Sequence, residues 1–299
     1  MDKLSEIKNR IVNNEIIKKI ITKLDLNKNQ IESGYDIFLR IIEENENIND
    51  LEYITEVEIY DENRIVGISV PNKNSKLAQV LKRKKNYWLS GISNVNPDIR
   101  FSNPKLNLKN NDSNLFFWTY PKLKIENDRS SLALWFKDFY TNWGKNKKIK
   151  GIYISGMFGL GKTYFLMAFT NYLIDKNITV SFLNINELYD YMTRNLNKNN
   201  ELNYEAIDKM KNVEVLIIDD IGSEKANDWF LFSVLYPVFE YRIKEDKITC
   251  FSSIFSISNL KKNWLKSKEL DSIKIERLID KIKHSTIQTN LKGKNIREI

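Results

Sequence analysis

The chain has 299 residues, 42% of them hydrophobic and 12% aromatic, enough for about two domains with buried cores and too apolar for a disordered chain. A single cysteine, Cys250, and a single histidine, His284, exclude an intramolecular disulfide and a Cys/His zinc cluster within one chain. The net charge of +8 is unevenly spread, with −7 over residues 1–63, +9 over 64–130, zero over 131–257 and +6 over 258–299; a polyanionic partner and a solvated lysine-rich surface are both open readings of it.

Charges run through the first twenty residues, which rules out a secretory signal, and no stretch approaches the ~20 apolar residues of a membrane span. A cytoplasmic protein without membrane partners is expected. Ile7, Ile11, Ile16, Ile17, Ile20 and Ile21 recur at helical spacing, and a second helical run covers 35–44. Alternation over 53–60 and 65–70 predicts a strand pair turning through Asp61, Glu62 and Asn63. Residues 1–110 are read as a small helical or α+β domain. The Asn-, Pro- and Lys-rich stretch 94–114 lacks periodicity and marks a connection, so that 111–129 is assigned as linker and 130–299 as the second domain. There a helix over 130–143 precedes apolar strands at 151–154, 179–183, 213–218 and 248–253, with helices at 163–175, 185–196 and 229–244 between them. Such alternation implies a parallel sheet covered on both faces.

Within this pattern IYISGMFGLGKTYF sets Gly156, Gly159, Gly161, Lys162 and Thr163 in a G-x-x-x-x-G-K-[ST] frame between a strand and a helix. The cofactor loop is assigned to Gly156, Met157, Phe158, Gly159, Leu160, Gly161, Lys162, Thr163 and Tyr164. Backbone N–H groups and the helix N-terminus would cradle phosphates, Lys162 would reach the β- and γ-phosphates, and Thr163 would ligate Mg²⁺. About 55 residues on, VEVLIIDDIG ends an apolar strand in two carboxylates. Asp219 is assigned to the Mg²⁺ shell and Asp220 to orienting or deprotonating the attacking water.

The phosphate loop, DDIG followed by a Trp helix ending in YR (Trp229 to Arg242), and the terminal GKN together resemble the AAA+ ATPase domain of bacterial replicative helicase loaders of the DnaC/DnaI type, over about residues 115–299. The resemblance implies an ATP-dependent switch that binds single-stranded DNA and delivers the hexameric replicative helicase during initiation or restart, with loaders side by side on the helicase ring and residues 1–110 gripping the helicase. It aligns Arg277 with the first of two family arginines and puts Lys281 at the second, the finger or sensor position; lysine keeps the charge but lacks the planar fork. Ile254 stands where a polar γ-phosphate sensor is common, leaving Ser252 or Ser253 to replace it. Residues 1–110 hold no Cys or His, so the zinc site that some DnaI-type loaders carry cannot form there. For DNA contact the segment 187–211, where related initiators insert an extra helix, offers Tyr189, Tyr191, Arg194 and Lys198; packing of one or both tyrosines in an ordinary helix is the competing reading. Lys82, Arg83, Lys84 and Lys85 with Tyr87 and Trp88 form a second basic stretch, read as a solvated turn. Cys250 and His284 are read as structural. Two rival functions share the core: a transposition-helper ATPase of the IstB type, and a nucleotide-binding scaffold with negligible hydrolysis.

Overall fold

The computed structural model describes residues 8–11, 13–48, 50–101, 130–145, 148–196, 200–267 and 270–293. Two compact units divide between Arg83 and Lys84. The boundary read near residue 110 lies outside the described residues, as do the linker 111–129 and most of the terminal GKN.

The first unit is α+β. Helices α1 (Glu15–Leu24), α2 (Lys28–Ser33) and α3 (Tyr35–Glu46) precede strands β1 (Tyr53–Ile59) and β2 (Ile65–Pro71), which pair antiparallel from Tyr53↔Pro71 to Ile59↔Ile65. Ile11, Ile17, Phe38, Ile41, Ile42 and Ile65 form its core. Asn27 and Gln30 close a capping box at the start of α2, and the Gln30 amide donates to the Asp61 carbonyl, tying helix to hairpin turn. Glu44 accepts from the Thr55 N–H and hydroxyl at 2.6 and 2.8 Å, fixing α3 against β1.

Helix α4 (Lys76–Asn86) carries the chain into the second unit, where α5 (Ser130–Asn142) precedes a five-stranded sheet in the order β4-β5-β6-β3-β7, parallel at each pairing. The strands are β3 (Gly151–Ser155), β4 (Val180–Asn184), β5 (Val215–Asp219), β6 (Ile248–Ser253) and β7 (Thr286–Asn290). Successive residues alternate between two cores: Tyr153, Leu216, Ile218 and Phe251 pack on one face, and Ile152, Ile154, Val215, Ile217 and Cys250 on the other. Both faces are covered, which is why these strands read as continuous apolar runs. α6 (Lys162–Asp175) and α5 supply the second core; α7 (Ile185–Asn195), α8 (Asn200–Asn212), α9 (Tyr236–Lys244), α10 (Ile257–Trp264) and α11 (Ser272–Ser285) supply the first.

Three features depart from the sequence reading. Residues 87–101 pack on the sheet: Tyr87 bridges Val180 in parallel, Trp88 N–H donates to the Val180 carbonyl at 2.9 Å, and Asn171 donates to the Asn96 and Ile99 carbonyls. This segment covers the otherwise free edge of β4. The helix expected at 229–244 is π-helical over Trp229–Leu235 before α9, with the Tyr236 N–H bonded to the Leu231 carbonyl. Pro237 at the start of α9 has no N–H to continue an α-helical ladder. Finally β7, with the sequence TIQTN, adds a fifth strand beside β3.

Candidate nucleotide site

The site lies at the C-terminal ends of β3, β5 and β6, where open α/β sheets bind ligands. β3 ends at Ser155, and Gly156 turns the chain at φ +146°; a Cβ there would stand 2.6 Å from the Leu291 carbonyl oxygen. Gly161, at φ +85°, opens α6. Only glycine adopts these conformations cheaply, and the resulting curl brings Lys162 and Thr163 over the sheet. Leu160 anchors the loop in the apolar core, whereas Met157 and Phe158 are each 67% exposed, so those two positions can serve phosphate only through their backbone. Tyr164 packs half-buried beside the same core.

Lys162 is 6% exposed and its ammonium donates to the Gly156 and Met157 carbonyls at 2.7 and 2.9 Å. Burial lowers its pKa, against the pull of Asp220 and Asp219. The Thr163 hydroxyl lies 3.1 and 3.0 Å from the two carboxylate oxygens of Asp219. Asp219 is 2% exposed, and burial together with the neighbouring Asp220 pushes its pKa up to about 6, against the Ser252 and Thr163 hydrogen bonds and the Lys162 charge. A hydroxyl and a carboxylate converging beside a phosphate loop form the hard-oxygen donor set that Mg²⁺ takes together with phosphate oxygens. Asp220 is half-buried at φ +60°, with its N–H donating to the Ser252 hydroxyl at 3.0 Å.

Ser252 therefore bridges both acids: its hydroxyl also donates to Asp219 Oδ1. Ser253 instead donates to the Ile221 carbonyl at 2.6 Å and accepts from the Phe255 N–H. Of the two serines that can replace the polar residue absent at Ile254, Ser252 alone contacts the acids.

The remaining assigned residues lie on other elements. Arg277 and Lys281 sit on α11, Arg277 exposed and Lys281 bound to Glu240 at 3.2 Å with its ammonium 4.9 Å from the Tyr236 ring centroid. On α7, Tyr189 packs edge-on against Phe230 with centroids 5.1 Å apart, and its hydroxyl accepts from Asn227 at 3.0 Å. Tyr191 packs half-buried against the same core, Arg194 is exposed and donates to the Asp190 carbonyl, and Lys198 lies outside the described residues. Tyr87 is 3% exposed and Trp88 packs on the core, so both aromatics of the second basic stretch are engaged. Cys250 is fully buried, with burial pushing its thiol up to about 12; His284 is exposed and faces Asp280 at 3.2 Å.

A parallel sheet, a glycine loop holding a buried lysine, and a threonine facing a strand-end aspartate give this unit a P-loop fold of the kind found in AAA+ ATPase domains. Residues 131–262 match the family model described as the bacterial DnaA ATPase domain. The resemblance to the DnaC/DnaI-type loaders holds: the chain is 31% identical over 162 residues to the replicative helicase loader DnaI of Bacillus subtilis (strain 168), covering 54% of this chain and 51% of that protein. It is 34% identical over 96 residues to the chromosomal replication initiator protein DnaA of Acholeplasma laidlawii, covering 28% of this chain and 21% of that one. The alignment with DnaI thus spans about half of that protein's length, and the one with DnaA about a fifth. Among solved structures, a crystal structure of DnaI superposes with a TM-score of 0.48 at 28% identity, over 59% of this chain and 89% of that one. The DnaC helicase loader gives 0.47 at 19%, over 58% and 95%.

Proposed function

We propose that the chain is an ATP-dependent loader that delivers the hexameric replicative helicase onto single-stranded DNA in replication initiation or restart, in the cytoplasm. The observation that carries the ATP-dependent part is the convergence of Lys162, Thr163 and Asp219 within one glycine-built loop and one strand end. The similarity to the replicative helicase loader DnaI supports the loader part.

In this reading Lys162 exchanges the Gly156 and Met157 carbonyls for phosphate oxygens, and the loop's N–H groups hold the rest of the polyphosphate. Thr163 and Asp219 would hold Mg²⁺, which when bound neutralises phosphate charge. Asp220, held in place by Ser252, orients the attacking water and accepts its proton. Arg277 and Lys281 would act on a neighbouring copy's nucleotide, for which Lys281 must leave Glu240. That ion pair, with Ile254 at the sensor position, favours a second reading in which nucleotide binding switches the molecule and turnover is slow.

For residues 1–110 the partner proposed is the helicase: residues 41–63 carry nine acidic and no basic side chains, and although Glu44, Glu46, Asp50 and Asp61 pair with Arg40, Arg10, Lys76 and Arg64, the other five leave an acidic run that favours a protein partner over DNA. For DNA the proposed contacts are Tyr189, Tyr191, Arg194 and Lys198; Arg194 is exposed, and the two tyrosines would reach bases only where their half-buried rings leave a face open. Nucleotide titration of the full chain tests the site: Lys162→Ala should weaken ATP binding by roughly 100-fold, the worth of about two charge-assisted hydrogen bonds. Unchanged affinity would remove the site assignment.

A further inference from the structure

The turn after β5 is held by more than its own backbone. Ile221 donates to the Ser252 carbonyl at 2.9 Å and accepts from the Ser253 hydroxyl. Gly222 follows at φ +94°, and a Cβ there would meet Leu260 at 2.5 Å. Its N–H donates to Glu224 Oε2 at 2.6 Å, and its carbonyl accepts from Asn263 at 2.9 Å. The other oxygen of Glu224 accepts from the Trp264 indole N–H at 2.7 Å. Leu260, Asn263 and Trp264 all belong to α10, so one helix holds Gly222 directly through its carbonyl and by contact, and reaches its N–H through Glu224.

Glu224 is 6% exposed, Trp264 is fully buried, and the hydrogen bonds of Glu224 come from neutral donors. A buried carboxylate without a cation costs stability, and apolar packing would serve a purely structural purpose better. What a carboxylate offers is two acceptor oxygens and no donor, which matches two N–H groups on different elements. From α10 the contact continues to α11 through Lys261 and Glu276, 2.7 Å apart.

We infer that Glu224 is a positioning residue: through Gly222 and Trp264 it fixes the turn carrying Asp220 to α10, so that nucleotide at Lys162 and Asp219 is sensed at Trp264 and relayed towards α11. The inference rests on the ATP-binding reading above and assigns that site an internal relay.

The test is tryptophan emission of the full chain during titration with ATP and Mg²⁺, with Trp264→Phe separating Trp264 from the other five tryptophans. The expected result is an emission change in the wild type that Trp264→Phe removes. In Glu224→Gln, where one amide oxygen replaces two acceptors, the change should be lost, with turnover down about tenfold and ATP affinity within about threefold. Asn263→Ala, which leaves Glu224 and Trp264 in contact, should act in the same direction and carries the test if Glu224→Gln does not fold. A lowered melting temperature with the Trp264 signal and turnover intact would show a structural role only and overturn the inference, as would a wild type whose Trp264 emission ignores bound ATP. A wild type that does not bind ATP would instead sink the nucleotide reading, and the relay with it.

Discussion

Asp219 lies in the protein interior, and the proposed Mg²⁺ site would need it ionised. Its pKa of about 6 is raised above the ordinary 3.8 of an aspartate, so the folded chain binds a proton more readily than the unfolded one. The resulting stability cost is absent below about pH 4, grows between pH 4 and 6 and is complete above, reaching up to about 3 kcal/mol before solvent relaxation. Asp219→Asn should therefore stabilise the nucleotide-free chain at pH 7.5 by roughly 1–3 kcal/mol and leave it nearly unchanged at pH 4, while abolishing Mg²⁺-dependent nucleotide binding. Thermal melts at the two pH values check the first half; equal shifts at both would refute it. Lys162, Thr163 and Asp219 were legible in the sequence because a backbone-built phosphate loop demands fixed glycine spacing between an apolar strand and a helix, and the acid closes a second apolar strand. Glu224 and Arg242 were not, since a charged residue in a sequence reads as solvent-facing and its burial is settled by distant partners.

Arg242 shows what such burial does at the level of elements. It is fully buried, and it donates to the carbonyls of Met210, Lys211 and Val213 at the end of α8, to Glu214 before β5, and to Ile248 and the Thr249 hydroxyl in β6. One guanidinium thus closes a helix end and aligns two strand starts, although burial pulls its pKa down to about 9. Arg242→Met should cost about 3 kcal/mol or more by orphaning these acceptors, and Arg242→Lys should recover only part of it, since an ammonium has three donors in place of a five-donor fork. Denaturant unfolding measures both. The edge of β4 gives a second expectation: the fragment 84–299 keeps Tyr87 and Trp88 on Val180 and should stay monodisperse, whereas 111–299 exposes that edge and should aggregate. Comparable light scattering from the two would contradict the edge-covering role of 87–101. Strands β3 to β6 were readable because both their faces are buried. β7 was not, because an edge strand needs only Thr286 and Thr289 inward and its remaining residues look like loop. The segment 87–101 escaped because its few buried anchors, Tyr87 and Val95, follow no period.

At the scale of the whole molecule the charge pattern separates the proposed partners. The neutral block 131–257 contains Lys162 and Asp219, which act on each other locally, while the acidic run 41–63 belongs to the first unit. If the chain binds single-stranded DNA, affinity should fall with salt at a log-log slope of about −0.7 per phosphate contacted, and a flat response would remove the electrostatic reading.

Nucleotide at this phosphate loop is proposed to govern capture of a replicative helicase. Co-purification of the full chain with a hexameric replicative helicase, with and without ATP and Mg²⁺, tests it most directly. The wild type should retain the helicase and respond to ATP, and Lys162→Ala should lose the response while staying folded. A folded wild type that leaves the helicase unbound in ATP would contradict the loader reading.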